Sequence, residues 1–145
     1  WVYDMHGTLG WNDKFKALLS MPYITAIVLH DRACWLDQFE PARIADRTVD
    51  AFARERVKVA IAPGIEGTAA LVEIVTKSGI THADRRLVAK GDTADPLSRA
   101  EIIGKLRTAA KGVIHEAAVE RIIRLVGDLE NLPSARDLLD AVRAA

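Results

Sequence analysis

The feature that most constrains the fold of this chain is a double change in hydrophobic period. Up to about residue 56 apolar side chains recur at helical spacing. Tyr23, Ala26, Ile27 and His30 share one face, with Ile24 and Val28 widening it, so this helix is expected to be well buried. Ser20 reads as its N-cap, Pro22 fits its first turn, and Asp31-Arg32 ends it. A second helical segment starts near Pro41 and includes Ile44, and another follows from Thr48 through Val49 and Phe52. Then the period becomes two. Val57, Val59 and Ile61 alternate with Lys58 and Ala60 and stop at Pro63-Gly64, and Ala70, Val72, Ile74 and Thr76 alternate again. A turn at Lys77-Ser78-Gly79 leads into a third, more polar strand over Ile80–Val88. Connections this short require antiparallel pairing. After Pro96 the period returns to helical. Ser98 and Glu101 form a capping box ahead of Ile102, Ile103, Leu106, Ala109 and Ala110. A second stripe runs through Ala118, Val119, Ile122, Ile123 and Val126, and a third helix capped by Ser134 turns Leu138, Leu139 and Val142 inward. The expectation is a single α+β domain over residues 1–145: two layers, a small antiparallel sheet packed against helices, and a helical C-terminal third.

Charge and composition narrow the function. Lys+Arg and Asp+Glu stand at 20 each, so no basic surplus addresses a phosphate backbone and nucleic acid is not an expected partner. The apolar stretch Ile24–Leu29 is too short to span a bilayer, and the start shows no secretory signal pattern, so no membrane is expected. The chain starts at Trp1 and not at Met, as a trimmed or excised piece would, and Trp1–Asn12, punctuated by Gly7 and Gly10, reads as loop. The single cysteine, Cys34, has no internal disulfide partner, which suits a reducing, cytoplasmic location, and it reads as a small buried hydrophobe with no histidine beside it.

Motifs for phosphate loops, dinucleotides and zinc are missing, and His6, His30, His82 and His115 share no ligand spacing, so neither a metal nor a cofactor is expected. His82 reads as surface, and His115 as a cap or a solvent contact. Asp4-Met5-His6-Gly7-Thr8-Leu9 resembles the D-x-D-G-T-L signature of haloacid-dehalogenase-like phosphatases. His6 replaces the second aspartate, however, and only Trp1, Val2 and Tyr3 precede the motif where a buried strand should stand. Such a phosphatase fragment is the remote alternative. Lys14, Lys16 and Tyr23 cluster around the start of the apolar helix. A tyrosine there is ordinarily a core residue, although a cation and a phenol at a helix N-terminus can also receive a carboxylate.

A second resemblance covers most of the chain from Ser20 onward. Ser20-Met21-Pro22-Tyr23 with Ala26 to Asp31 resembles the "F-S-[hydrophobic]-x-Y … A-x-x-L-x-D" helix of the MmgE/PrpD family. Leu36-Asp37-Gln38-Phe39 and Arg43-Ile44-Ala45-Asp46 resemble its next landmarks, and Val72-Glu73-Ile74 with Gly79 and Thr81 resembles its hairpin. Gly91, Pro96-Leu97-Ser98, Glu101-Ile102 and Lys105-Leu106 resemble its "P-L-S-x-x-E" segment, and Leu129-Glu130-Asn131-Leu132 its closing "L-E-x-L". The family includes 2-methylcitrate dehydratase, cis-aconitate decarboxylase and an iminodisuccinate epimerase. The resemblance implies the smaller C-terminal domain of a longer, metal-free lyase acting on a small polycarboxylate, 2-methylcitrate dehydratase-like, with an epimerase or decarboxylase member as an alternative. Its partners would be a helical N-terminal domain and a second subunit in a homodimer. It makes Tyr23 the catalytic candidate, with Lys16, His6 and Ser20 as substrate-binding candidates. Leu18 and Leu19 depart from the charged and aromatic residues usual before the motif serine, which leaves substrate preference open. The alternative from a different class is a docking and dimerisation domain without a catalytic residue.

Overall fold

The computed structural model describes residues 6–7 and 10–143. The chain is α+β: the described residues form seven α-helices and one two-stranded antiparallel sheet. They gather into two compact units, residues 1–88 and 89–145.

In the first unit, α1 (Lys14–Leu19) starts where the Asp13 carboxylate accepts the Lys16 amide at 2.9 Å. Helix α2 (Met21–Asp31) follows directly from Ser20, with Pro22 in the first turn as expected. It closes on Arg32, whose left-handed backbone (φ 53°) lets its amide reach the Val28 carbonyl at 2.9 Å. A 3-10 turn (Leu36–Phe39) and the single-turn α3 (Pro41–Ile44) lead into α4 (Arg47–Arg56). Asp46 caps α4, accepting from Thr48 N at 2.8 Å and Val49 N at 3.3 Å. Helix α2 packs on α4, and the core is Trp11, Ala17, Tyr23, Ala26, Ile27, Phe39, Val49 and Ala53. Strands β1 (Ala70–Val75) and β2 (Thr81–Arg86) pair from Ala70 opposite Arg86 to Val75 opposite Thr81. The connecting turn needs Gly79, at φ 83°, and is tied by Thr76 to both backbone groups of Ile80.

In the second unit, α5 (Arg99–Ala110) begins at the Ser98–Glu101 capping box read from the sequence, with the Ser98 amide 2.7 Å from Glu101 Oε2. Helix α6 (Glu116–Gly127) packs on α5 and on α7 (Arg136–Arg143), and Arg107 of α5 donates to Glu120 of α6 at 2.8 Å. Ala110, Val119, Ile122 and Ala141 are its buried apolar residues.

Several expectations are corrected. Val57–Ile61 is not a strand: Val57 leaves α4 still packed on the core, and among the described residues the one sheet pairs β1 with β2, so the alternation records packing without a ladder. Helix α2 buries one face only, leaving Val28, Leu29 and His30 exposed. Cys34 is exposed because the left-handed Arg32 turns the chain off the helix before it. In α7 the inward position is taken by Ala141, while Leu139 and Val142 are exposed; a short helix packed chiefly on α6 buries only a narrow stripe. Trp11, placed in a loop by the sequence, is a core residue.

Ile27→Ala should destabilise the chain by about 2–5 kcal/mol in denaturant unfolding, through lost burial and a cavity between α2 and α4. Val75→Ala on the exposed hairpin should stay within about 0.5 kcal/mol of wild type.

Candidate functional site

Tyr23 is fully buried in the first unit. Its ring lies between Trp11 and Phe39, at centroid distances of 6.3 and 6.0 Å. Helix α2 places it there because positions 23, 26 and 27 share the stripe facing α4, and small Ala26 lets the helices approach. Its hydroxyl donates to the backbone carbonyl of Gln38 at 2.6 Å. Burial holds the Tyr23 phenol above its ordinary range; Arg43 opposes this, and the carboxylates of Asp31 and Asp46 add to it.

A charged network lies behind that carbonyl. The Gln38 side chain accepts the Trp35 amide at 3.0 Å and donates to Asp31 Oδ2 at 3.2 Å. Arg43 grips Asp31 with two prongs, Nε to Oδ2 at 3.2 Å and a guanidinium nitrogen to Oδ1, while its other terminal nitrogen reaches Asp46. Bidentate geometry of this kind is the strong form of the arginine–carboxylate pair. Hydrogen bonding from Arg43 holds the Asp31 carboxyl below the usual carboxylate range, and the capped amides of Thr48 and Val49 do the same for Asp46.

The other named residues are not drawn into this cluster. Lys16 Nζ engages Asn12 at 3.2 Å and Asp13 at 3.5 Å, while Lys14 pairs with Glu40 at 3.1 Å. Ser20 is fully buried at the junction of α1 and α2 and makes no side-chain cap bond to α2. His6 is partly buried, and its Nδ1 has no hydrogen-bond partner among the described residues. Asp4, Met5, Thr8 and Leu9 of the phosphatase-like motif lie outside the described residues. Sequence reasoning missed Trp11, whose indole donates to Asp50 at 3.1 Å while Arg54 lies 4.6 Å over its ring. Arg43 and Gln38 were seen only as landmarks; the signal for them was Asp46, a cap residue three positions after an arginine.

Two hollows lie among the described residues. In the first unit a groove of about 1060 Å³ runs between α2, the end of α4, residues 56–60 and β1, with Met21, Leu29, Phe52, Val57 and Leu71 on its walls. In the second, a hollow of about 580 Å³ lies where α5 turns into α6, lined by Arg107, Lys111, Val113, His115 and Val119 among others. His6, Lys16, Ser20 and Tyr23 line neither. Among the described residues there is no group of three or more His, Cys, Asp or Glu that could hold a metal, and no helix long and apolar enough to cross a membrane.

Compared with known proteins, residues 7–131 match the family model of the MmgE/PrpD C-terminal domain, a stretch that runs through both units. A search of curated proteins finds no match.

The network should make stability depend on acid. Asp31 and Asp46 are harder to protonate folded than unfolded, so the unfolded chain binds more protons between the two values. Their contribution is complete above about pH 4 and is lost as pH falls through the depressed folded values. Thermal melts from pH 6 downward should show this decline, and Arg43→Met should flatten it; an unchanged acid slope in the variant would count against the network.

Proposed function

This chain belongs to the MmgE/PrpD family, matched along its C-terminal domain, and on that premise we propose that it is the C-terminal domain of a lyase acting on a small polycarboxylic acid, 2-methylcitrate dehydratase-like. Its two units are then parts of one domain, and the active site is shared with a helical N-terminal domain of the parent, which assembles as a homodimer. In such a dehydration a base takes the proton beside a carboxylate. The resulting enediolate expels the neighbouring hydroxyl, which departs as water after receiving a proton from an acid. Tyr23 is this chain's acid. The observation that carries the reading is a phenol within the family-matched stretch whose hydroxyl lies 2.6 Å from the Gln38 carbonyl, which is tied through the Gln38 side chain to the Asp31–Arg43–Asp46 cluster. To reach a substrate the hydroxyl must exchange the Gln38 carbonyl for the leaving oxygen, a rearrangement the docked N-terminal domain would have to impose. Lys16, Ser20 and His6 are the candidates for binding substrate carboxylates. The lone exposed Cys34 suits a reducing compartment, and we place the parent in the cytoplasm.

A specific observation favours the second reading, a docking and dimerisation domain. The Tyr23 hydroxyl is already satisfied by Gln38 and its ring has no exposure, as for a core residue, while Val72, Ile74, Val75 and Leu87 on and beside the hairpin stand exposed.

In the intact parent, Tyr23→Phe separates the two. As the acid, Tyr23 should cost about 10²–10⁴-fold in kcat when lost, with the fold retained; unchanged turnover with 2-methylcitrate or cis-aconitate would favour docking. Robust turnover by this chain alone would sink the shared site.

A further inference from the structure

We infer that Arg43 is a positioning residue for Tyr23, acting through Asp31 and Gln38 on the carbonyl that accepts the phenol proton. The inference rests on the reading of Tyr23 as the group this chain contributes. Its physical content, however, is separable from turnover.

The geometry is a relay of short, directed bonds. Gln38 belongs to a 3-10 turn of only four residues, too short to hold its own shape by internal hydrogen bonds. Its side chain is tied in two directions, to the Trp35 amide and to Asp31. Asp31 lies at the last position of α2, eight residues after Tyr23 and on the same helix. The two prongs of Arg43 fix the rotation of the Asp31 carboxylate, and Asp46, itself committed to capping α4, fixes Arg43 from the other side. The acceptor of the Tyr23 proton is thereby referenced to two helices at once. Lysine keeps the positive charge at this place but cannot supply the fork, so charge and orientation can be separated by one substitution. The charged and titratable groups that act on the Tyr23 phenol are Arg43, Asp31, Asp46 and Cys34, and among them only the guanidinium is a donor with enough arms to bridge both carboxylates.

The test is NMR of the chain labelled with ¹³C-tyrosine. It has two tyrosines, Tyr3 and Tyr23, so Tyr3→Phe assigns the Tyr23 signals. In Arg43→Lys the Tyr23 ring-carbon shift should move and its hydroxyl proton should exchange about tenfold faster, as expected for loss of a well-made hydrogen bond. Arg107→Lys, which loosens an equally direct ion pair in the second unit, should leave both signals in place. Wild-type Tyr23 signals in a folded Arg43→Lys variant would overturn the inference. Should that variant fail to fold, Gln38→Met removes the side-chain ties and keeps the carbonyl; it should give the same faster exchange, and unchanged exchange there would overturn the inference equally. In the parent, where the Tyr23 hydroxyl must leave Gln38 to reach substrate, Arg43→Lys should change kcat with little effect on KM, and the change should vanish in a Tyr23→Phe background. NMR effects without any kcat effect would leave positioning intact and refute the catalytic reading of Tyr23 instead.

Discussion

The first unit depends on one guanidinium. Arg43 joins the end of α2, through Asp31, to the start of α4, through Asp46, and the apolar core of the unit gathers around those helices. Both carboxylates are only partly accessible, with side-chain exposures of 21% and 33%, so the fork works in a less screened setting than a surface pair. The α2–α4 contact brings Tyr23, Ala26 and Ile27 against Val49 and Ala53, and that packing is apolar and non-directional. Arg43 supplies direction: its forked bonds tie the end of α2 to the start of α4.

Local features were legible in the sequence wherever the physics is local. The Ser98–Glu101 capping box and the turn at Lys77-Ser78-Gly79 each involve partners within four residues and stand in the structure as read, and α2 starts after Ser20 with Pro22 in its first turn, although the Ser20 side chain makes no cap bond to it. What failed was burial. Val57–Ile61 alternates as a strand does, yet a strand exists only where a second backbone offers its hydrogen bonds, and none pairs with this segment. Val28, Leu29, Leu139 and Val142 are apolar at helical spacing but exposed, because periodicity says which face a residue occupies and not whether a neighbour covers it.

The candidate site divides along the same line. From spacing alone Tyr23 was a core tyrosine, and its full burial fits that description; only the resemblance lifted it above the rest. Its acceptor is 15 residues away and its electrostatic partners are distributed over three elements, so no sequence window contains the arrangement. Trp11 is the clearest omission. A tryptophan in a glycine-punctuated stretch looks like loop, and its partner Asp50 is 39 residues on.

The hairpin carries a consequence for the behaviour of the molecule in solution. Strand β2 guards its outer edge with Asp84, Arg85 and Arg86, the charged residues that discourage another strand from adding on. Strand β1 reads Ala-Leu-Val-Glu-Ile-Val, with Glu73 its only charge, and both of its faces are exposed. Such a segment is a template for self-assembly into larger aggregates unless another surface covers it. Along β1, Glu73 is therefore the one charge that opposes such pairing.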